Sequence, residues 1–399
     1  MAFDALAGGD FRVRETTTRR YLFVVPPFPS HIYPTVTIAH ELEQRGHAVG
    51  WVTHEPMRRF LPATAWVYSL ATPTTAEALA ALQRDAGAPW LAGMKVLFER
   101  VLMPLAHDML PGVEAAIAAF HPDVLIVDQQ TFAGALAARR AGLQWVTSSP
   151  SAALHTHDLA NFPNVREWLR SLHDQLQRDA GLDPVLAPEC SPWLVLLYTS
   201  HRLVGLEMPF PPHYRLVGPL LGPRPAAVDF PWSKLGTQRR VLITLGTLWA
   251  DRGERFFRMV VEALADAPLQ VIVHAPAGFI ATPPSNFIVR TWVPLPELYP
   301  HLDAVVTHAG TTLTEVLLHG LPAVVAPIAH EQATFAQQAV KAGAARRVRF
   351  NRVNAVELRE AVFDILDQPS YKAAAQIIGA SFRDAGGVRV AVDAIEAIA

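Results

Sequence analysis

Cysteine is nearly missing from this sequence: Cys190 is alone among 399 residues. No internal disulfide can form, nor a zinc site built on cysteine, and a reducing, cytoplasmic setting fits. No apolar run reaches the roughly 20 residues that a membrane-spanning helix needs, so no transmembrane segment is expected. The opening stretch carries Arg12, Arg14, Arg19 and Arg20 and no long apolar core, which argues against a secretory leader and leaves residues 1–20 as an expected flexible tail. Neither sign of charge dominates, with 34 Lys and Arg against 36 Asp and Glu. Without a basic footprint, nucleic acid is not an expected partner. Two short patterns are missing as well. There is no Gly-x-Gly, so the usual pyrophosphate fingerprint of dinucleotide-dependent oxidoreductases is lacking. There is no Asp-x-Asp, so no carboxylate-held divalent metal is expected.

What is present favours two α/β domains. Hydrophobic residues make up 51% of the chain, enough for two sizeable cores. "YLFVVPPFPSH", "HAVGWVTH", "PDVLIVD" and "LQWVTSS" read as strands of a first half, and "RRVLITLGT", "LQVIVHAP", "NFIVRTW", "DAVVTH" and "PAVVAPI" as strands of a second. Helices alternate with most of them, which predicts parallel sheets in two Rossmann-like βαβ domains. The first helix is predicted from about Pro34 to Arg45, with Pro34 in its first turn. The expected layout is a domain over 21–218, a Pro/Gly-rich linker over 219–236 and a second domain over 237–379. "WLAGMKVLFERVLMPLAHDML" reads as an apolar helix and "SAALHTHDLANFPNVREW" as a loop with His155 and His157. These segments either line a pocket for an apolar ligand or are core helix and surface loop.

The stretch "VVTHAGTTLTEVLLHG" places polar groups at a predicted strand-to-helix junction. A helix start exposes unpaired N–H groups and partial positive charge, and so attracts anions. Gly310 permits close backbone approach, Thr311 and Thr312 bring hydroxyls, and His308 can donate to a phosphate oxygen. Glu315, one turn on, can accept from ribose hydroxyls. The alternative is a plain helix cap, with Glu315 in a capping box. That leaves His308, Gly246, Thr247, Glu331 and Gln332 unexplained. Gly246, Thr247, Trp292, His308 and Glu331 each follow a predicted strand or sit at its end, so they should share the carboxyl rim of one sheet. Trp292 there either stacks on a base or belongs to the core.

The stretch "WVPLPELYPHLDAVVTHAGTTLTEVLLHGLPAVVAPIAHEQATFAQQAVKAGAARRV" resembles the nucleotide-sugar signature of family 1 glycosyltransferases. "PPFPSHIYP", "PDVLIVD", "LVGPLL" and "LITLGT" occur in that family's order. The resemblance implies the GT-B fold, two Rossmann-like domains facing across a cleft. It implies that Trp292 stacks on the base and the Val293 backbone meets its edge. It further implies that Thr247, His308, Gly310, Thr311 and Thr312 surround the diphosphate, Glu315 binds the ribose, and Glu331 and Gln332 bind the sugar. Residues 380–399 would form a helix that packs back on the first domain. The sequence departs from the pattern in places. The Gly310–Glu315 spacing is one residue short, Leu295 stands where many relatives have Gln, Phe335 where many have Asn, and Glu331 where Asp is commoner.

Transfer of a sugar to a hydroxyl needs a base, and histidine titrates in the right range. His31 is predicted on the loop after the first strand, and Asp128 at the end of a neighbouring one. A carboxylate on the far imidazole nitrogen would fix the tautomer. The competing roles are a loop histidine beside a helix start and a helix N-cap aspartate. In the family, the matching histidine is the base and the matching aspartate its partner; here "SHIYP" replaces "GHxxP", with Ser30 for Gly. The expected function is an inverting glycosyltransferase that uses a UDP- or TDP-sugar co-substrate and no metal or further cofactor, acting on an apolar small-molecule acceptor. A nucleotide-sugar epimerase and a catalytically silent donor-binding protein are the alternatives. Oligomeric state is not legible.

Overall fold

Runs of buried β-branched and leucine residues set the architecture. The computed structural model describes residues 18–71, 90–152, 155, 162–205, 209–221, 229–246, 253–328 and 331–399. Among these, two parallel sheets form. The first contains β1 (Arg20–Val24), β2 (Ala48–His54), β3 (Trp66–Leu70), β4 (Val124–Asp128), β5 (Gln144–Ser149), β6 (Leu194–Leu197) and β7 (Tyr214–Leu216), in the order β3-β2-β1-β4-β5-β6-β7. The second contains β8 (Arg239–Thr244), β9 (Leu269–His274), β10 (Phe287–Arg290), β11 (Ala304–Thr307), β12 (Ala323–Val325) and β13 (Ala345–Arg347), in the order β10-β9-β8-β11-β12-β13. All five residues of β4 are buried, because helices cover both faces of a parallel sheet. Alternation divides the work along β1. Tyr21 and Phe23 join one core, Leu22 and Val24 the other.

The helices of the first half are α1 (Pro29–Gln44), α2 (Trp90–Lys95), α3 (Met103–Phe120), α4 (Phe132–Ala141), α5 (Pro163–Asp179) and α6 (His201–Val204). A π-helical stretch at Val96–Leu102 joins α2 to α3. The later helices are α7 (Glu254–Leu264), α8 (Leu295–Leu298), α9 (Thr311–Leu318), α10 (Gln332–Lys341), α11 (Ala355–Asp367), α12 (Pro369–Asp384) and α13 (Gly387–Ile398). The chain's end crosses between halves: α12 packs on α9, and α13 packs on α1. Ala391, Val392 and Ile395 of α13 enter the core that holds Tyr21 and Phe23. Burying such Val and Ile side chains contributes about 1.5–3 kcal/mol each. Arg45 adds a clamp, bonding Asp393 at 2.6 Å and Glu396 at 2.8 Å.

Several expectations are corrected. Helix α1 begins at Pro29, not Pro34, because Pro29 takes the position where a missing N–H costs nothing. His31 is therefore the third residue of a helix and not a loop residue. Arg20 is strand, not tail: its Nε donates to the Phe120 carbonyl at 2.6 Å and its guanidinium lies 4.5 Å from the Phe120 ring. Residues 1–17 of the expected tail lie outside the described residues. Within 219–236, Leu220 and Phe230 are buried in the two cores. Met94, Leu97, Phe98, Val101 and Leu102 pack with Phe28, Phe132 and Leu136 as ordinary core. Pro163–Trp168, predicted as loop, opens α5. His157 lies outside the described residues.

Each sheet's strand order switches beside its first strand, between β1 and β4 and between β8 and β11. Open parallel sheets bind ligands at such switch points, beyond the carboxyl ends of their strands.

Candidate functional site

The turn after β1 and the end of β4 meet at the first switch point. Asp128, 1% exposed, is the last residue of β4. Its Oδ1 accepts from the Gln130 N–H at 2.9 Å, which rigidifies the turn. Its Oδ2 lies 2.8 Å from His31 Nδ1. The helix that follows has Thr131 at its N-cap position, with no side-chain cap bond, so Asp128 does not serve as its N-cap. His31 is 6% exposed. Burial alone would lower its pKa; the charge and hydrogen bond of Asp128, with help from Glu331, outweigh that and raise it above the ordinary histidine value. An acceptor carboxylate on Nδ1 leaves Nε2 as the nitrogen that takes a proton.

At the second switch point, β11 runs into α9 through His308, Ala309 and Gly310. Ala309 has φ +64°, a left-handed backbone that L-residues seldom adopt. Gly310 is the residue before the helix, and no side chain caps this end. Thr311 and Thr312 are its first two residues, so the capping-box alternative is not realised. The two loop glycines have a reason the sequence did not reveal: they make room for the His308 ring. A Cβ on Gly246, whose φ is +67°, would stand 2.8 Å from His308 Cε1, and one on Gly310 would stand 2.6 Å from Nε2. Burial pushes His308 down to about 4, so it is neutral at physiological pH and carries one N–H to donate.

Between the two halves lies a cavity of about 870 Å³. Ser30 and Tyr33, on the same turn of α1 as His31, form part of one wall. Gly246, Trp292, Thr311, Thr312 and Glu315 belong to the facing one. Trp292 is 41% exposed, so it is not a core residue. Val293 is buried at its side but also reaches the cavity wall. Leu295 lines the cavity, whereas Phe335 is buried in the core. None of residues 91–110 lines it, so of the two readings of that segment the core helix holds and the pocket wall does not. Glu331 is the residue before α10, and Gln332, its first residue, accepts the Ile328 N–H at 2.7 Å and so braces its own loop. Thr247 lies outside the described residues.

Three groups that sequence reasoning missed join this site. Tyr299 donates its hydroxyl to Glu315 Oε2 at 2.9 Å. His274, at the end of β9, accepts from Thr244 Oγ1 at 3.0 Å and meets the Trp292 ring edge-on. Tyr198, in the cavity wall, pairs with Ser148 Oγ at 2.6 Å. Their partners lie 16, 30 and 50 residues away in sequence, so no local motif marks them. Among the described residues, no group of three or more His, Cys, Asp or Glu could hold a metal ion, and no helix is long and apolar enough to cross a membrane.

Two parallel α/β sheets that present their switch points to one shared cleft define the GT-B fold. Residues 225–385 match the family described as UDP-glucoronosyl and UDP-glucosyl transferase. The chain is 27% identical to 4'-demethylrebeccamycin synthase of Lentzea aerocolonigenes, over 95% of this chain and 99% of that protein. It is 28% identical to demethyllactenocin mycarosyltransferase of Streptomyces fradiae, over 94% and 86%. The solved glycotransferase of kitacinnamycin superposes with a TM-score of 0.77 at 24% identity, over 95% of this chain and 99% of that one. The chain is thus similar to these proteins over nearly its whole length, and its family match spans residues 225–385.

Proposed function

We propose that the protein transfers a sugar from a UDP- or TDP-sugar to a hydroxyl of an apolar natural product, with inversion at the anomeric carbon. The observation that carries this reading is the pairing of His31 with Asp128 at 2.8 Å, beside the Ser30 and Tyr33 wall of a cleft whose other side is lined by Thr311 and Thr312 at the uncapped start of α9. As the acceptor oxygen attacks, His31 Nε2 takes its proton and Asp128 stabilises the imidazolium. The new bond forms between that oxygen and the anomeric carbon. The bond to the diphosphate oxygen breaks on the opposite face, which inverts the centre. The departing diphosphate gathers charge at the N-terminal end of α9, where N–H groups, the Thr311 and Thr312 hydroxyls and neutral His308 receive it. With no Asp-x-Asp in the chain, this electrostatic work falls to the helix end and no metal is part of the scheme. Trp292 supplies a stacking face for the base, Glu315 holds the ribose and Glu331 meets the sugar. The cleft closes over the donor about the link between the halves, of which residues 222–228 lie outside the described residues.

The acceptor class rests on the wall opposite the donor side, where Tyr33, Phe60, Pro150 and Leu220 give an apolar surface. It rests also on the relatives named above, one of them a mycarosyltransferase. We assign the reaction to the cytoplasm, in keeping with a single cysteine. The test is incubation with UDP-glucose and dTDP-glucose and a panel of phenolic and macrolide acceptors, with products read by mass spectrometry and anomer by NMR. A β-glycoside from an α-linked donor is the expected product. Epimerised sugar without glycoside, or an α-glycoside, overturns the reading.

A further inference from the structure

The chemistry above leaves His274 without a task, yet it sits where three strands of the second sheet end together. β8, β9 and β10 are neighbours, with Thr244 opposite His274 and His274 opposite Arg290. The imidazole is 7% exposed and lines the cleft. The Gly246 N–H donates to Thr244 Oγ1 at 3.2 Å. With that oxygen already accepting, its own proton turns to His274 Nδ1 at 3.0 Å. The remaining ring proton is then on Nε2. Trp292 is the next residue, and its ring stands edge-on to the imidazole, with centroids 5.8 Å apart at 77°.

One buried ring thus ties two loops together. On one side is the turn at Gly246, which leads into the diphosphate loop. On the other is Trp292, the face offered to the base. The hydrogen bonds run from Gly246 through Thr244 to His274, the ring contact carries on to Trp292, and no other side chain of the cleft touches both loops in this way among the described contacts. We propose that His274 is a positioning residue for the nucleotide: it locks the base platform Trp292 and the diphosphate turn at Gly246 into one rigid unit, so that base and diphosphate are bound as a pair. This rests on the donor-site reading given above.

The test is calorimetric titration of UDP and of dTDP into the wild type, His274→Ala, Thr244→Val, Trp292→Ala and the His274→Ala/Trp292→Ala double variant. Loss of the locking contacts should weaken the preferred nucleotide about 10-fold in His274→Ala and in the same direction in Thr244→Val, which keeps the side-chain shape. In the Trp292→Ala background the same His274 change should cost only about 2- to 3-fold, because part of its effect runs through that ring. His274→Asn, which keeps an acceptor near the Nδ1 position, should recover part of the loss. At saturating donor, kcat should stay within about threefold of wild type, since a donor-positioning role acts on KM. If Trp292→Ala weakens binding but His274→Ala and Thr244→Val do not, or if the His274 effect is undiminished in the Trp292→Ala background, the locking role is overturned and the donor site stands. If neither nucleotide binds the wild type, or Trp292→Ala binds as the wild type does, the donor-site reading falls and this role with it.

Discussion

Consider Asp128→Asn. The carboxylate serves two donors at once, the Gln130 N–H on Oδ1 at 2.9 Å and His31 Nδ1 on Oδ2 at 2.8 Å. An asparagine has one acceptor oxygen. If that oxygen stays on Gln130, the amide NH₂ meets Nδ1 and forces the imidazole proton onto Nε2, where the ring cannot act as a base. If the amide flips, His31 keeps its tautomer but the Gln130 N–H loses its partner; Gln130 is 5% exposed. An unsatisfied buried donor costs about 1–3 kcal/mol, so the second arrangement is disfavoured by roughly 5- to 150-fold. The wrong tautomer prevails, and kcat should fall about 10²- to 10⁴-fold, the range that a general base contributes. Donor affinity should hold within about twofold, because Asp128 lies on the far side of the cleft. The pH profile adds an independent check. With its pKa raised by Asp128, His31 must lose a proton above the ordinary histidine value before it can act, so wild-type kcat/KM should drop on the acid side with a midpoint above about 6.5. In Asp128→Asn the residual activity should titrate at lower pH. Initial rates of glycoside formation from pH 5 to 9 measure both. A variant within about threefold of wild-type kcat, alongside an inactive His31→Ala, would refute the dyad.

Gly310→Ala places a methyl 2.6 Å from His308 Nε2 on a backbone that alanine tolerates. Displacement of the imidazole should weaken nucleoside diphosphate about 10-fold by calorimetry; unchanged affinity would remove His308 from the diphosphate site. Tyr299→Phe deletes the hydroxyl that holds Glu315, and donor KM should rise about 5- to 10-fold at nearly constant kcat in steady-state rates. An unchanged KM would mean that Glu315 does not depend on Tyr299. Stability should fall on acidification. Burial lowers His54, His155 and His308 to about 4, so the unfolded chain takes up protons first as pH drops below about 6.5. Each contributes at most about 2 kcal/mol of loss by pH 5. His31 works in the opposite sense: its raised pKa gives stability below about 6.5 that is lost as pH rises through the folded value. The urea midpoint should therefore be lower at pH 5 than at pH 7, and an equal or higher midpoint would contradict the burial argument.

Buried parallel strands were plain in the sequence because both faces are covered: "VLIVD" and "VLIT" are continuous apolar runs, and they became β4 and β8. The strands that escaped notice are short or lie toward the edges. β3 reads Trp-Val-Tyr-Ser-Leu but is only partly buried, and β13 reads Ala-Arg-Arg, with no apolar run to announce it. The start of α1 was misplaced because two prolines compete for it, and only the chain's path from β1 decides for Pro29. Gly246, His308 and Gly310 were legible as a set through their places at strand ends. That the glycines accommodate His308 was not, since Gly246 and the ring are far apart in sequence. The same holds for His274 and Tyr299, whose meaning lies in contacts across strands and helices.

Crystals of the protein grown with UDP or dTDP measure most directly whether the leaving group binds at the start of α9 opposite His31. The expected density has the diphosphate within hydrogen-bond distance of the Thr311 and Thr312 N–H groups, the base against Trp292 and the sugar side of the diphosphate open toward His31. A nucleotide seated elsewhere, or a helix end covered by the protein's own side chains in that complex, would contradict the proposed reaction.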